Sequence, residues 1–126
     1  MKEYEKWFKK AESDLLTITN NLSAQNIPAD SCCFHAQQAA EKYLKAYLTS
    51  HKISFPKTHQ LELLVKKSCE RNEMFSQLFI YTRKLEVFGV SPRYPDEFDD
   101  LTVEDAKQAY QNAIAIKDFV ITHFFK

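Results

Sequence analysis

Glycine is almost missing from this sequence: its 126 residues include one, Gly89. That scarcity excludes the glycine-rich phosphate loops of dinucleotide-binding and P-loop folds, and it argues against a turn-rich β-sandwich. Net charge is missing as well, since 17 basic side chains face 17 acidic ones. A wholesale electrostatic grip on nucleic acid or on an acidic membrane is therefore not indicated. No apolar run approaches the roughly twenty residues that cross a bilayer; Ala113 to Ile116 and Phe119 to Ile121 are parted by Lys117 and Asp118. The opening Met1-Lys2-Glu3-Tyr4-Glu5-Lys6 is charged and has no apolar core of a secretory signal behind it. Cys32, Cys33 and Cys69 are odd in number, with two adjacent, so they form neither a disulfide framework nor a CxxC box. Buried reduced thiols in a cytoplasmic protein are the expectation.

What is present is helical periodicity. Tyr4, Trp7, Ala11, Leu15, Ile18 and Leu22 step by three and four and predict a first helix over about 3–23. Pro28 interrupts, and Asp30 or Ser31 is placed to cap a second helix reaching about Ser50, with Cys32, Ala36, Ala40, Tyr43 and Tyr47 inward. After a linker from His51 to Lys57, Thr58 is placed to cap a third, shorter helix carrying Leu61, Leu64 and Val65. Asn72 is placed to cap a fourth with Met74, Leu78, Tyr81, Leu85 and Phe88 on one side, ended by Gly89. A polar loop over 90–101 leads to Thr102, whose hydroxyl caps the last helix. The expected fold is all-α: one domain over residues 1–126, an antiparallel up-and-down bundle of four main helices plus one short helix.

Residues Cys33-Phe34-His35-Ala36-Gln37-Gln38-Ala39-Ala40-Glu41-Lys42-Tyr43-Leu44-Lys45-Ala46 resemble the signature segment of the HEPN family. Trp7, Ala11, Asp14 and Leu15 resemble its opening helix. Phe55, Thr58, His59 and Leu61 resemble its "F…THxL" element, and Arg93-Tyr94-Pro95 with Thr102, Glu104 and Ala106 resembles its last loop and helix. The resemblance implies a small helical bundle that frequently forms homodimers, associates with nucleotides or RNA, and is often encoded beside a minimal nucleotidyltransferase, in toxin–antitoxin type systems. Many members are ribonucleases with an arginine followed four to six residues later by histidine. Here no histidine lies between residues 60 and 122, whereas the arginines are Arg71, Arg83 and Arg93. No catalytic residue is carried over, and enzyme action is the lesser expectation.

On the second helix His35 and Lys42 fall on one shoulder two turns apart, where a ring donor and a point charge can share a phosphate; a boundary histidine bonded to a carbonyl is the alternative. Gln38 can reach a base edge or be a solvated amide. His59, beside the Thr58 cap, suits the phosphate end of a pocket or fixes the linker. Phe34 falls among polar neighbours, open to a partner or covered by the linker. Arg93 and Tyr94, stiffened by Pro92 and Pro95, offer a guanidinium and a stacking ring; an ion pair within the loop competes. The expected nucleotide-binding set is thus His35, Gln38, Lys42, His59, Arg93 and Tyr94. No cofactor or metal site is expected, save Mg²⁺ with a nucleotide near Asp96, Glu97, Asp99 and Asp100, which otherwise form a solvated acidic run. A nucleotide-binding homodimer with a nucleotidyltransferase partner is the leading reading. A ribonuclease with an atypical site and a non-catalytic oligomerisation scaffold are the alternatives.

Overall fold

The first helix, α1 (Glu3–Leu22), buries Ala11, Leu15 and Ile18 and half-buries Tyr4 and Trp7, as its spacing predicts, and half-buries Phe8 beside them. In the structure, a computed structural model describing residues 1–88 and 101–126, α1 packs along α2 (Ala29–Ser50). The other helices are α3 (Leu61–Cys69), α4 (Phe79–Leu85) and α5 (Val103–Thr122). Single 3-10 segments, Glu73–Leu78 and Glu86–Phe88, flank α4, and among the described residues there is no strand. The all-helical bundle is the expected one.

Local chemistry explains most helix ends. Thr102 and Asp105 form a reciprocal box at the start of α5: the Asp105 N–H donates to Thr102 Oγ1 at 3.0 Å, and the Thr102 N–H donates to Asp105 Oδ2 at 2.9 Å. Asn72 caps the 3-10 segment by accepting from the Met74 N–H at 3.0 Å. Three details differ from the sequence expectation. α2 begins at Ala29 behind Pro28, so neither Asp30 nor Ser31 is its cap. Thr58 accepts from the Gln60 N–H and shapes a turn, and α3 starts only at Leu61. Met74 is exposed, because the fourth segment opens with 3-10 geometry that rotates its side chain off the inner face.

α2 is the central rod and touches each of the other helices. Its alanines Ala36, Ala39 and Ala40 are fully buried in the same core as Ala106, Ala109 and Ala113 of α5. Side chains this small let two backbones approach closely. Both helices run in the same sense. Asp105 is close enough to Cys33 to act on its thiol at one end, and the Tyr47 and Phe124 rings meet at 6.2 Å at the other. There the His51 Nε2–H donates to the Phe124 carbonyl at 2.6 Å and pins the two ends together.

The exit from α2 decides where the linker goes. Lys52 takes φ 58°, the left-handed region that favours glycine. The Ile53 N–H bonds back to the Leu48 carbonyl at 2.9 Å and the Lys52 N–H to that of Thr49 at 3.2 Å. This is a Schellman stop with lysine at its left-handed position. The chain reverses and the linker lies back along α2, bringing Phe55 level with Lys45 and His59 level with Glu41.

Candidate functional site

At 100° per residue, Phe34, His35, Gln38, Glu41, Lys42 and Lys45 occupy the side of α2 facing away from Cys32, Ala36, Ala40 and Tyr47. That side meets α1 on one flank and the returning linker on the other. The polar groups buried there are organised around two carboxylates.

Asp14, buried on the inner stripe of α1, accepts from His35 Nδ1–H at 2.8 Å and from Lys42 Nζ at 2.6 Å. One carboxylate thereby joins α1 to two turns of α2. Glu41 repeats the arrangement. It accepts from Lys45 Nζ at 2.9 Å one turn along its own helix and from His59 Nδ1–H of the linker at 2.7 Å. The Lys45 ammonium, 8% exposed, also lies 5.3 Å from the Trp7 ring centre and 5.9 Å from that of Phe55. A desolvated cation is thus held by one anion and two aromatic faces. Gln37, fully buried, donates to the His59 carbonyl at 2.9 Å and accepts from Gln38 Nε2 at 2.8 Å, tying the linker backbone to the helix.

Because each imidazole gives its Nδ1–H to a carboxylate, Nε2 of both rings is left without a hydrogen bond among the described residues. The His35 side chain is 29% exposed and stands edge-on to half-buried Phe34, with ring centres 5.5 Å apart; His59 is 66% exposed. With neutral rings each centre is one anion against one ammonium, and a proton on either ring makes the seam cationic. Lys10, exposed one turn before Asp14 on α1, adds to that sign.

Of the expected site residues, His35, Gln38 and Lys42 share one stripe of α2, and His59 is tethered beside it through Glu41. The His59 ring is turned to α2 and not to the start of α3. Arg93 and Tyr94, with Asp96, Glu97, Asp99 and Asp100, lie outside the described residues. Sequence reasoning did not pick out Asp14 and Glu41 as the organising groups, nor the burial of Gln37 and Lys45. The signal for Asp14 is a carboxylate set between Ala11 and Ile18 on an otherwise apolar stripe.

The family model described as HEPN domain matches residues 4–123. The chain belongs to the HEPN family. A crystal structure of an archaeal HEPN homologue superposes with a TM-score of 0.76 at 25% sequence identity, covering 98% of this chain and 99% of that one. No curated protein matches the sequence significantly. In this HEPN domain, the second-helix segment that resembles the family signature is the one bearing both polar centres.

Elsewhere in the HEPN bundle burial acts on three thiols and a phenol. Burial pushes the Cys33 thiol up to about 12, helped by the nearby Asp105 carboxylate, and burial also raises Cys32 and Cys69. All three cysteines are free, Cys69 being only half-buried. Burial, and then the hydrogen bond to Glu12, holds the Tyr43 phenol protonated well above its usual range. Among the described residues no cluster of His, Cys, Asp or Glu could hold a metal, and no helix is long and apolar enough to cross a membrane.

Proposed function

We propose that this HEPN domain is a binding subunit that takes a nucleotide on the seam of α2 and acts as a homodimer beside a minimal nucleotidyltransferase, in a toxin–antitoxin type system. The observation that carries the reading is the pair of imidazoles, each bonded through Nδ1 to a buried carboxylate and with no hydrogen bond at Nε2 among the described residues. Lys42 gives one hydrogen to Asp14 and retains two for an anion. Gln38 sits between the two centres with an amide for a base edge. Arg93 and Tyr94, which lie outside the described residues, belong to the proposed set as well. The subunit needs no cofactor of its own; Mg²⁺ enters with the nucleotide's phosphates.

Calorimetric titration with nucleoside mono-, di- and triphosphates tests this. Binding that falls at least about tenfold in His59→Ala, with helical circular dichroism retained, is expected because that ring is mostly solvent-facing; loss of its hydrogen bond to the buried Glu41 costs about 1–2 kcal/mol of stability. Absence of heat with every nucleotide, together with failure to retain a nucleotidyltransferase in co-purification, defeats the reading. A ribonuclease is the second reading. It is favoured by one feature, an imidazole fixed at Nδ1 by a carboxylate with Nε2 free, which is the orientation of a general base. It requires RNA cleavage that disappears in His59→Ala while the fold is retained.

A further inference from the structure

At one end of the bundle a trough of about 400 Å³ lies between residues of α1 and the end of α5. Tyr4 and Phe8 form one wall; Ile121, Phe124 and Phe125 form the other. Phe124 is the buried hub, its ring 5.2 Å from Tyr4, 4.9 Å from Phe8 and 5.0 Å from Phe125. Phe125 itself is 79% exposed, Ile121 is half-exposed, and Leu16, one turn beyond Glu12, carries the apolar edge along α1. Large apolar side chains gathered on one edge, with an open trough between them, mark an interaction surface more than scattered exposure does.

The charges on this edge point to its occupant. Of the two glutamates in the trough, Glu12 is already held by the Tyr43 hydroxyl and by Lys117 at 3.4 Å. Glu5 accepts only the Lys2 backbone N–H at 3.3 Å and keeps its charge toward solvent. Lys126, next to Phe125, is exposed and has no carboxylate partner among the described residues. One edge therefore carries an apolar trough with a free anion and, beside it, an aromatic plug with a free cation. Each is the complement of the other, and a two-fold contact between identical edges satisfies both at once.

We infer that two copies of this chain pair through the α1–α5 edge. Phe125 and Ile121 of each fill the other's Tyr4–Phe8 trough, and each Lys126 faces the other's Glu5. This rests on the dimeric part of the proposed function and assigns it a face, with the polar seam of α2 left for ligand. Aromatic anchors ringed by charge are the usual carriers of affinity in such contacts.

Sedimentation equilibrium of the full chain tests the assignment. The wild type sediments as a dimer. Phe125→Glu and Ile121→Glu each raise the dimer dissociation constant at least about tenfold, with helical circular dichroism and nucleotide heats unchanged. Lys126→Glu weakens the dimer and Glu5→Lys in the same chain restores it. A monomeric wild type overturns the inference. So does a dimer that survives both apolar substitutions; it would lie elsewhere, and the nucleotide-binding reading would stand. A dimer that responds as described but takes up no nucleotide defeats that reading and leaves the face in place.

Discussion

The two sides of α2 are buried by opposite means. Toward α5 the helix presents alanines and cysteines, and burial there needs nothing but shape. Toward α1 and the linker it presents His35, Gln38, Glu41, Lys42 and Lys45, and burial there depends on each charge finding a partner. The first side closes completely. The second closes only as far as its carboxylates reach, and it leaves two imidazoles at the boundary, each without a hydrogen bond at Nε2 among the described residues. In this fold the proposed binding surface is the remainder of an electrostatic seam, not a cavity cut into the core.

The contrast can be broken most severely at Glu41. Glu41→Ala strands the nearly buried Lys45 ammonium and should cost about 3 kcal/mol in urea unfolding; a loss well under 1 kcal/mol would mean that Trp7 and Phe55 hold the cation unaided. Replacing both Glu41 and Lys45 by methionine should recover most of that loss, because the desolvation of two ions disappears with the pair. On the opposite side, Ala40→Leu should cost about 2 kcal/mol by overpacking, where no rearrangement of charge can relieve it. Thermal unfolding that shows Ala40→Leu to be neutral would refute close helix contact there.

Alkaline unfolding separates the sides further. The Cys33 thiol is held near 12 against an ordinary 9.0. Its stabilising contribution is complete below pH 9 and is lost as pH rises toward 12, because the unfolded thiol ionises first. By pH 10 the loss should be about 1 kcal/mol, absent in Cys33→Ala; parallel pH curves for the two proteins would contradict it. The smallest effect is a gain. Lys52→Gly relieves the left-handed residue in the turn that lays the linker on the polar side, and should stabilise by about 0.5–1 kcal/mol. A drop in midpoint would show that the lysine side chain does more than occupy the turn.

Helix positions were legible because caps and periodicity act locally: the boundaries of α1 and α5 and the capping by Asn72 and Thr102 follow directly from neighbouring residues. Thr58 misleads for the same reason, since a hydroxyl that can cap a helix can equally well cap a turn. His35, Lys42 and Gln38 could be set on one stripe from helical spacing alone. Their partners could not, because Asp14 and His59 arrive from other elements, and His59 only by way of the reversal at Lys52. Lys45 and Glu41 stand at the usual i, i+4 interval, and only the tertiary fold makes that pair an interior one.

Trp7 is the sole tryptophan of the chain and lies over the Lys45 ammonium, which itself rests on Glu41. An indole excited state is sensitive to a cation on its face. The protein therefore carries its own optical gauge of the linker-side centre. Shifts in its emission report directly whether Glu41 keeps hold of Lys45 when His59 is engaged, with no label attached.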